Sequence, residues 1–327
     1  MYWEALAPSN LALIKYAGKK DKNNLPLNSS LSYTLDHLTT KVRVTPIEDE
    51  KDKWRVLESK GSFSLTLSSS AIERFLRFFQ FLKKAFKVPG AYLIQSANCF
   101  PASIGAASSA SSFCALTQAT YQMALSRSSN PSQVEELTSS CLSVFSRHGS
   151  GSSCRSFFRP WAIWDQEGEG ARAIETPFPY LIHQLLVVDL EHKGVSSSLA
   201  HEKIIRTTAF KGRIDRAQKR LSSLLSALNE RNWARCFEIT WDEFQDLHHL
   251  YEAAGIFYRN EKSYKILDII KAFWETEKDG PLVTMDAGSS IHLLYRPDQT
   301  TAVGRLYSLV EGLVKLEISS GKYTDSV

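Results

Sequence analysis

The sequence is poor in cysteine and has no long apolar run. Its five cysteines are scattered, odd in number and free of any C-x-x-C spacing. This pattern argues against a disulfide framework or a zinc site and favours reduced thiols in a cytoplasmic protein. No stretch approaches the roughly 18 uninterrupted apolar residues of a membrane-spanning helix. The first residues show no basic segment leading into an apolar one, so we expect no secretory signal.

Neither sign of charge dominates. The chain has 39 Lys and Arg against 35 Asp and Glu, which gives a net charge of +4. Such a mild excess permits anionic ligands but does not indicate nucleic-acid binding. The basic run "FKGRIDRAQKR" (210–220) is accordingly interpreted as a solvated helix face.

The chain also lacks internal repeats, low-complexity blocks and long linkers. In its first part, "KVRVTPI" (41–47) and "SFSLTL" (62–67) alternate between polar and apolar residues, which predicts two strands. Residues 71–88 carry apolar side chains at helical spacing. Lysines beside the aromatic residues would allow this helix to bind a membrane surface. Every globular helix needs an apolar stripe, however, so we predict a helix packed on the core.

The pattern changes at about residue 183. "HQLLVVDL" predicts a strand that enters a new unit. Helical spacing follows in three places, near 208–229, 232–252 and 262–276. Two short strands, "PLVTM" and "IHLLY", then flank "DAGSS", and a last amphipathic helix follows. We therefore predict two domains, residues 1–182 and 183–327.

One stretch, "FPASIGAASSASS" (100–112), consists almost entirely of small residues. Gly105 permits a left-handed turn, and Ser108 and Ser109 can cap the helix predicted after them. Exposed amides and the positive end of a helix dipole suit a phosphate group. No Gly-Lys-Ser/Thr follows, so the stretch is not a Walker loop. Because helix starts rich in alanine and serine are common, this stretch alone leaves phosphate binding open.

A second stretch combines hydroxyl groups, glycine and arginine. "RHGSGSSCRS" (147–156) places Ser150 and Ser152 in a glycine-rich turn, with Arg155 near its end. An arginine fork beside hydroxyl groups suits a carboxylate or a phosphate. A flexible surface loop would have the same composition, so the stretch alone is compatible with either interpretation.

Charged residues also follow two of the predicted strands. "SNLALIKYAGKK" (9–20) offers Lys15, Tyr16 and Lys19 after an apolar segment, either as ligands or as part of a solvated loop. Asp286 begins "DAGSS" directly after a predicted strand. Aspartate in that place is often a turn residue, but it is also how a base is held rigidly at a cleft.

Taken in this order, the four stretches resemble the GHMP kinase superfamily and, within it, the mevalonate diphosphate decarboxylases. "NLALIKYAGKKD" with "LPLNSSLSYTLD" looks like the N-terminal signature of that branch, and "SRHGSGSSCRSFF" resembles its substrate loop. "FPASIGAASSAS" is similar to the superfamily phosphate loop, and "VTMDAGSSIHLLY" to the C-terminal Asp-Ala-Gly motif. The resemblance spans nearly the whole chain.

The resemblance implies a fold and a reaction. The expected fold is α+β, a two-domain GHMP kinase architecture with an N-terminal α/β domain, a ferredoxin-like α+β C-terminal domain and a cleft between them. The expected reaction is the ATP-dependent decarboxylation of mevalonate 5-diphosphate to isopentenyl diphosphate, with Mg²⁺ bridging the ATP phosphates. The family also implies a cytoplasmic homodimer that binds phosphorylated mevalonate and neither nucleic acid nor membrane.

The same resemblance implies a role for each matching residue. Asp286 would orient the substrate 3-hydroxyl group and accept its proton, Lys15 would neutralise charge, and Arg155 would clamp the carboxylate. The substrate phosphates would be held by Tyr16, Lys19, Ser150 and Ser152. The ATP phosphates would be held by Gly105, Ala106, Ser108 and Ser109.

The sequence departs from the family pattern at several positions. Family members usually have Trp where Ala17 stands, and often Gly-Met in place of Ala200 and His201. The residue at Ala106 is usually Leu, and Pro-Asn usually follows Asp-Ala-Gly. These departures leave the substrate open. A decarboxylase of mevalonate 5-phosphate or of the 3,5-bisphosphate would keep most of these residues, and so would a small-molecule kinase that does not decarboxylate.

Overall fold

The structure is a computed structural model, and it describes residues 1–58, 62–63, 67–101, 108–127, 136–189 and 195–320. These residues form two β-sheets and the helices that pack on them. The first sheet belongs to the N-terminal half of the chain and the second to the C-terminal half. The predicted mixture of helices and strands is confirmed.

The first sheet is organised around one long strand, β2. Its six strands are β1 (Trp3–Ile14), β2 (Ser30–Ile47), β3 (Lys53–Val56), β4 (Ala91–Asn98), β5 (Trp161–Trp164) and β6 (Arg172–Ile174). Antiparallel β1 covers one edge of β2, while β4 and β5 pair with opposite ends of the other edge. The strand predicted over 41–47 is thus the end of β2. Of the strand predicted over 62–67, residues 64–66 lie outside the described residues, and Phe63 makes an isolated bridge with Asn98.

Within the described residues, three α-helices and a 3₁₀ turn accompany this sheet. They are α1 (Ser69–Ala85), α2 (Ser108–Arg127), α3 (Ser139–Gly149) and the 3₁₀ turn Gly151–Phe157. The prediction that α1 packs on the core is confirmed, because Phe75, Phe79 and Leu82 are buried. Within the described ranges, no helix combines the length and the apolar character that crossing a bilayer requires.

The second sheet has the ferredoxin-like strand order. Its strands are β7 (Ile182–Val187), β8 (Leu282–Thr284), β9 (Ile291–Tyr295) and β10 (Leu316–Ser319). They are arranged as β10-β7-β9-β8 with every neighbouring pair antiparallel, which agrees with the expected C-terminal architecture. The helices of this half are α4 (Ser197–Ile204), α5 (Arg213–Asn229), α6 (Trp233–Ala253), α7 (Glu261–Glu277) and α8 (Thr300–Val310).

One apolar core joins the two halves. Leu13 and Leu31 of the first sheet belong to the same buried cluster as Leu186 and Leu293 of the second. Full burial of each such side chain contributes about 2 kcal/mol. A hydrogen bond from the Thr284 hydroxyl to the carbonyl of Ala12 (3.3 Å) also links β8 to β1. The ends of these two strands, which precede Lys15 and Asp286, are therefore held beside each other.

The interpretation of residues 210–220 as a solvated helix face holds for Gln218 and Lys219, which are exposed, but is wrong for Arg213. Arg213, at the start of α5, is fully buried and forms ion pairs with Glu243 and Asp246 of α6. Arg216 and Arg220 also pair with Asp246. The two carboxylates lie about thirty residues further along the chain, so a pattern confined to one helix could not reveal them.

Candidate active site

A cavity of about 320 Å³ opens between the two halves of the chain. Side chains from both halves of the chain line it, among them Asn10 in the N-terminal half and Ala287 in the C-terminal half. Nine of the eleven residues predicted for the site are among them, namely Lys15, Tyr16, Lys19, Ser108, Ser109, Ser150, Ser152, Arg155 and Asp286. The other two, Gly105 and Ala106, lie outside the described residues.

Lys15 and Asp286 form an ion pair across the two halves. Lys15 follows β1, Asp286 follows β8, and Nζ lies 2.6 Å from Oδ1. The Lys15 side chain is 2% exposed and that of Asp286 is 25% exposed, and both residues line the cavity. Burial raises the pKa of Asp286, but the charges of Lys15, His292 and Arg155 and the hydrogen bond from Lys15 together hold that pKa below its usual value. The carboxylate is therefore ionised and paired.

Arg155 lies in the 3₁₀ turn and is almost fully buried. Its Nη1 donates to Ser30 Oγ at 2.7 Å, and its Nε donates to Ser32 Oγ and to Asn10 Oδ1 at 3.1 and 3.2 Å. Among the described residues it forms no ion pair. A buried guanidinium that is aimed by neutral groups and lines a cavity provides a fork for an anionic ligand.

Asn10, which sequence reasoning missed, connects Arg155 to its turn. Its amide nitrogen donates to the carbonyl of Ser152 (3.0 Å) and to the hydroxyl of Ser156 (2.8 Å). Its amide oxygen accepts from Arg155. Every polar atom of this side chain is therefore used to hold the turn against β1.

The segment predicted as a glycine-rich turn is a tightly packed helical junction. α3 extends to Gly149, and the 3₁₀ turn begins at Gly151. A Cβ atom at Gly151 would lie 2.9 Å from the ring of Tyr16, so the close approach of Tyr16 requires glycine here. Burial raises the pKa of the neighbouring Cys154 thiol to about 12, which fits a packing role. The alternative of a flexible surface loop is wrong.

Two cationic side chains of the cavity lie close enough for their charges to interact. Lys19 and Arg74 both line the cavity, and burial lowers the pKa of Lys19 first, with a further contribution from the charge of Arg74. Arg74 lies on α1 and donates to the carbonyl of Gly149 at 2.7 Å. Sequence reasoning missed Arg74, because α1 was read only for its apolar stripe.

Hydroxyl groups and helix N-termini also line the cavity. α2 begins at Ser108, and the hydroxyl of Ser150 lies 3.3 Å from that of Ser109. The start of α4 contributes the run from Ser196 to Ser198, which sequence reasoning had not assigned to the site. Amides at the first turn of a helix lack partners within that helix and attract anions. Two helix starts thus face the same space.

This arrangement suits a ligand with several negative charges. Lys15, Lys19, Arg74 and Arg155 line the cavity, whereas Asp286 is the one carboxylate among the described lining residues. Cationic side chains and helix N-termini are the groups that stabilise phosphates during phosphoryl transfer. A carboxylate that lines such a cavity is chemically able to accept a proton from a hydroxyl group of a ligand.

An α/β half and a ferredoxin-like half with a cationic cleft between them form the architecture of a GHMP kinase fold. The N-terminal model that matches residues 7–175 describes the diphosphomevalonate decarboxylase-like N-terminal domain, and the model that matches residues 184–319 describes the mevalonate 5-diphosphate decarboxylase C-terminal domain. The chain belongs to the diphosphomevalonate decarboxylase family.

Individual relatives agree with this assignment. The diphosphomevalonate decarboxylase of Ganoderma lucidum is 31% identical over 95% of this chain and 81% of its own length. The crystal structure of a mevalonate diphosphate decarboxylase from Legionella pneumophila is 41% identical with a TM-score of 0.88, covering 98% of this chain and 100% of that chain. A solved complex with MVAPP, AMPPCP and magnesium is 26% identical with a TM-score of 0.81, covering 94% and 93%.

Proposed function

We propose that this chain catalyses the ATP-dependent decarboxylation of mevalonate 5-diphosphate to isopentenyl diphosphate, with release of ADP, phosphate and CO2. The observation that carries the proposal is the Lys15–Asp286 pair at 2.6 Å in the same cavity as Arg155, a buried guanidinium without a described carboxylate partner. The family assignment supports the same reaction.

The chemistry explains why such an enzyme needs ATP. Hydroxide is a poor leaving group from a tertiary carbon, and phosphate is a good one. Phosphorylation of the 3-hydroxyl group therefore prepares it to leave. As the C3–O bond breaks, the electron pair of the C–CO2⁻ bond forms the new double bond and CO2 departs. The protein's task is to position the groups and to stabilise their charges.

Each of the three charged residues has one role in this proposal. Asp286 accepts a hydrogen bond from the 3-hydroxyl group and takes its proton as the phosphoryl group arrives. Lys15 offsets the negative charge on the oxygen and on the transferred group. Arg155 holds the substrate carboxylate and fixes its orientation; the hold must not be too strong, because the carboxylate loses its charge in the transition state.

The remaining predicted residues hold phosphate groups. We assign the substrate diphosphate to Tyr16, Lys19, Ser150 and Ser152. We assign the ATP phosphates to Gly105 and Ala106 and to Ser108 and Ser109, of which the last two lie at the start of α2. The cavity offers hydroxyl and carboxylate oxygens, which are the ligands that Mg²⁺ takes together with substrate phosphates. The solved complex of a relative with magnesium and AMPPCP, an ATP analogue, supports ATP and Mg²⁺ as cofactors.

We further propose that the protein is a cytoplasmic homodimer. Its five free cysteines are those of a protein from a reducing compartment. The dimer rests on the family resemblance alone. Light scattering during size-exclusion chromatography would measure the mass of the assembly, and a mass equal to one 36.8 kDa chain would contradict the dimer.

The reaction is tested with purified protein, ATP, Mg²⁺ and mevalonate that carries no phosphate, a 5-phosphate or a 5-diphosphate. We expect turnover with the 5-diphosphate to exceed turnover with the other two by orders of magnitude, and the product to be isopentenyl diphosphate. Preference for the 5-phosphate would identify the chain as the monophosphate decarboxylase instead. Product identification by mass spectrometry separates decarboxylation from simple phosphorylation.

A further inference from the structure

His201 lies at the wall of the cavity and is not used by the proposed reaction. It stands on α4, three residues beyond the serines that begin the helix, and it lines the cavity. Its Nδ1 accepts a hydrogen bond from the backbone N–H of Gly18 at 3.0 Å. Its ring packs on that of Tyr16, with 4.9 Å between the ring centroids. Position and ring orientation are therefore fixed by the segment that follows β1.

These contacts also determine where the imidazole carries its proton. An Nδ1 that accepts a hydrogen bond leaves the single proton of a neutral ring on Nε2. Burial first, and then the positive charge of Lys19, lower the pKa of His201 to about 3, so the ring is neutral. No described residue accepts a hydrogen bond from Nε2. The ring therefore offers one oriented N–H donor at the cavity wall.

The donor lies close to positive charge. His201, Lys19 and Arg74 all line the cavity, and the charge of Lys19 acts directly on His201. A phosphate oxygen that reaches these two cations needs further donors, because each phosphate presents several acceptor positions. A neutral imidazole supplies a donor without adding a third positive charge.

We propose that His201 Nε2–H binds the 5-diphosphate of the substrate and contributes to selection of the diphosphate. This inference rests on the proposed function for the identity of the ligand. His201 is then a specificity-determining residue of this chain, since the Gly-Met that relatives often carry here offers only an apolar thioether. Ala17, another departure from the family pattern, belongs to one buried cluster with Ala200, so the two departures lie together.

Two amide variants, each of which mimics one nitrogen of the imidazole ring, separate this role from a purely structural one. His201→Asn keeps an acceptor near Nδ1 for the Gly18 N–H but has no donor at the Nε2 position. His201→Gln keeps a donor near Nε2 but gives up the Nδ1 acceptor. Binding of mevalonate 5-diphosphate, of mevalonate and of AMPPCP is measured by calorimetry, together with Tm. Leu199→Met is the control on α4, because Leu199 is 43% exposed and does not line the cavity.

We expect His201→Asn to raise the Kd for mevalonate 5-diphosphate on the order of tenfold, the loss typical of one hydrogen bond to a charged group. We expect His201→Gln and Leu199→Met to bind it nearly as the wild type does, and all variants to bind mevalonate and AMPPCP unchanged. If His201→Gln lost affinity for mevalonate 5-diphosphate while His201→Asn kept it, only the Gly18 contact would matter. Three results would overturn the proposal. They are that pattern, equal effects of the two variants on the Kd for mevalonate 5-diphosphate, and a loss of affinity confined to AMPPCP. Wild-type turnover, measured separately, tests the proposed function itself.

Discussion

The carboxylate of Glu243 on α6 accepts a hydrogen bond from the backbone N–H of Lys15 at 2.9 Å. Its partner Arg213 donates to the backbone carbonyl of the same residue at 3.3 Å. Both side chains are fully buried. The C-terminal half thus holds both peptide groups of the lysine that pairs with Asp286, directly after β1 ends. A buried ion pair here positions a site residue through its main chain.

Glu243→Gln is predicted to destabilise the protein strongly. The amide can still accept from Lys15, but Arg213 loses its main countercharge inside the protein. Arg213 then keeps only Asp246 as a partner. The loss should approach about 3 kcal/mol, the cost of a buried charge without its partner, which urea unfolding would measure. Glu238→Gln is the matched control, since Glu238 is 59% exposed and pairs with Arg235 on the surface. Similar small losses in both variants would contradict a structural role for the buried pair.

Asp286→Asn is predicted to lower kcat by at least about 100-fold, the usual loss when a positioned general base is removed. The affinity for AMPPCP should not change, because the proposed nucleotide site lies at the start of α2. Release of ADP and calorimetric binding of AMPPCP test the two halves of this prediction. Asp298→Asn, at a residue 68% exposed, is the control. An equal loss of AMPPCP affinity would show that Asp286 has a different role.

Arg155→Lys is predicted to reduce kcat/KM on the order of 100-fold. Lysine keeps the charge but cannot donate to Ser30, Ser32 and a carboxylate with one planar fork. Steady-state kinetics with mevalonate 5-diphosphate measure the effect. Arg159→Lys, at an exposed residue that pairs with Asp36, should leave kcat/KM unchanged. Near-normal activity of Arg155→Lys would remove the proposed clamp.

Stability is predicted to fall as the solution becomes acidic, because of a row of three histidines, of which His183 and His292 are buried and His37 is half-buried. His183 lies between His37 and His292, with nitrogen–nitrogen distances of 3.0 Å on both sides. Burial lowers the pKa of His37 to about 4 and that of His183 well below its usual value. In the unfolded chain, a histidine side chain has a pKa of about 6.5. Below that pH the unfolded chain binds more protons than the folded chain, so the free energy of unfolding decreases as pH falls.

The contribution of one such histidine approaches about 1.4 kcal/mol per pH unit below the unfolded pKa. His183→Gln should therefore reduce the slope of the unfolding free energy between pH 6 and 5 by about that amount, measured by urea unfolding at several pH values. His249→Gln, at an exposed residue of α6, is the control. An unchanged slope in His183→Gln would contradict the buried, neutral state of this histidine.

Much of the fold follows from periodicity in the sequence. Phe75, Phe79 and Leu82 recur at helical spacing, and the structure buries this face of α1 as predicted. The strand predicted from "HQLLVVDL" is β7, and "PLVTM" and "IHLLY" contain β8 and β9. The 3₁₀ turn was not predictable, because the close packing of Gly151 on Tyr16 joins segments far apart in the chain.

The candidate site was predictable where short motifs carry it. Lys15, Arg155 and Asp286 were found from their local sequences, and the fold brings all three to one cavity. Arg74, Asn10 and the serines of α4 line it as well, but each stands in a segment whose pattern is explained by packing or helix capping. The buried Arg213 was misread for the same reason, since its partners are brought near only by the packing of α5 on α6.

The most direct test of the account is the ratio of CO2 to ADP released from mevalonate 5-diphosphate by the wild-type protein. Radiolabelled carboxylate and a coupled ADP assay measure the two products in the same reaction. The account predicts equal amounts, because phosphorylation only prepares the leaving group. ADP released without CO2 would contradict it.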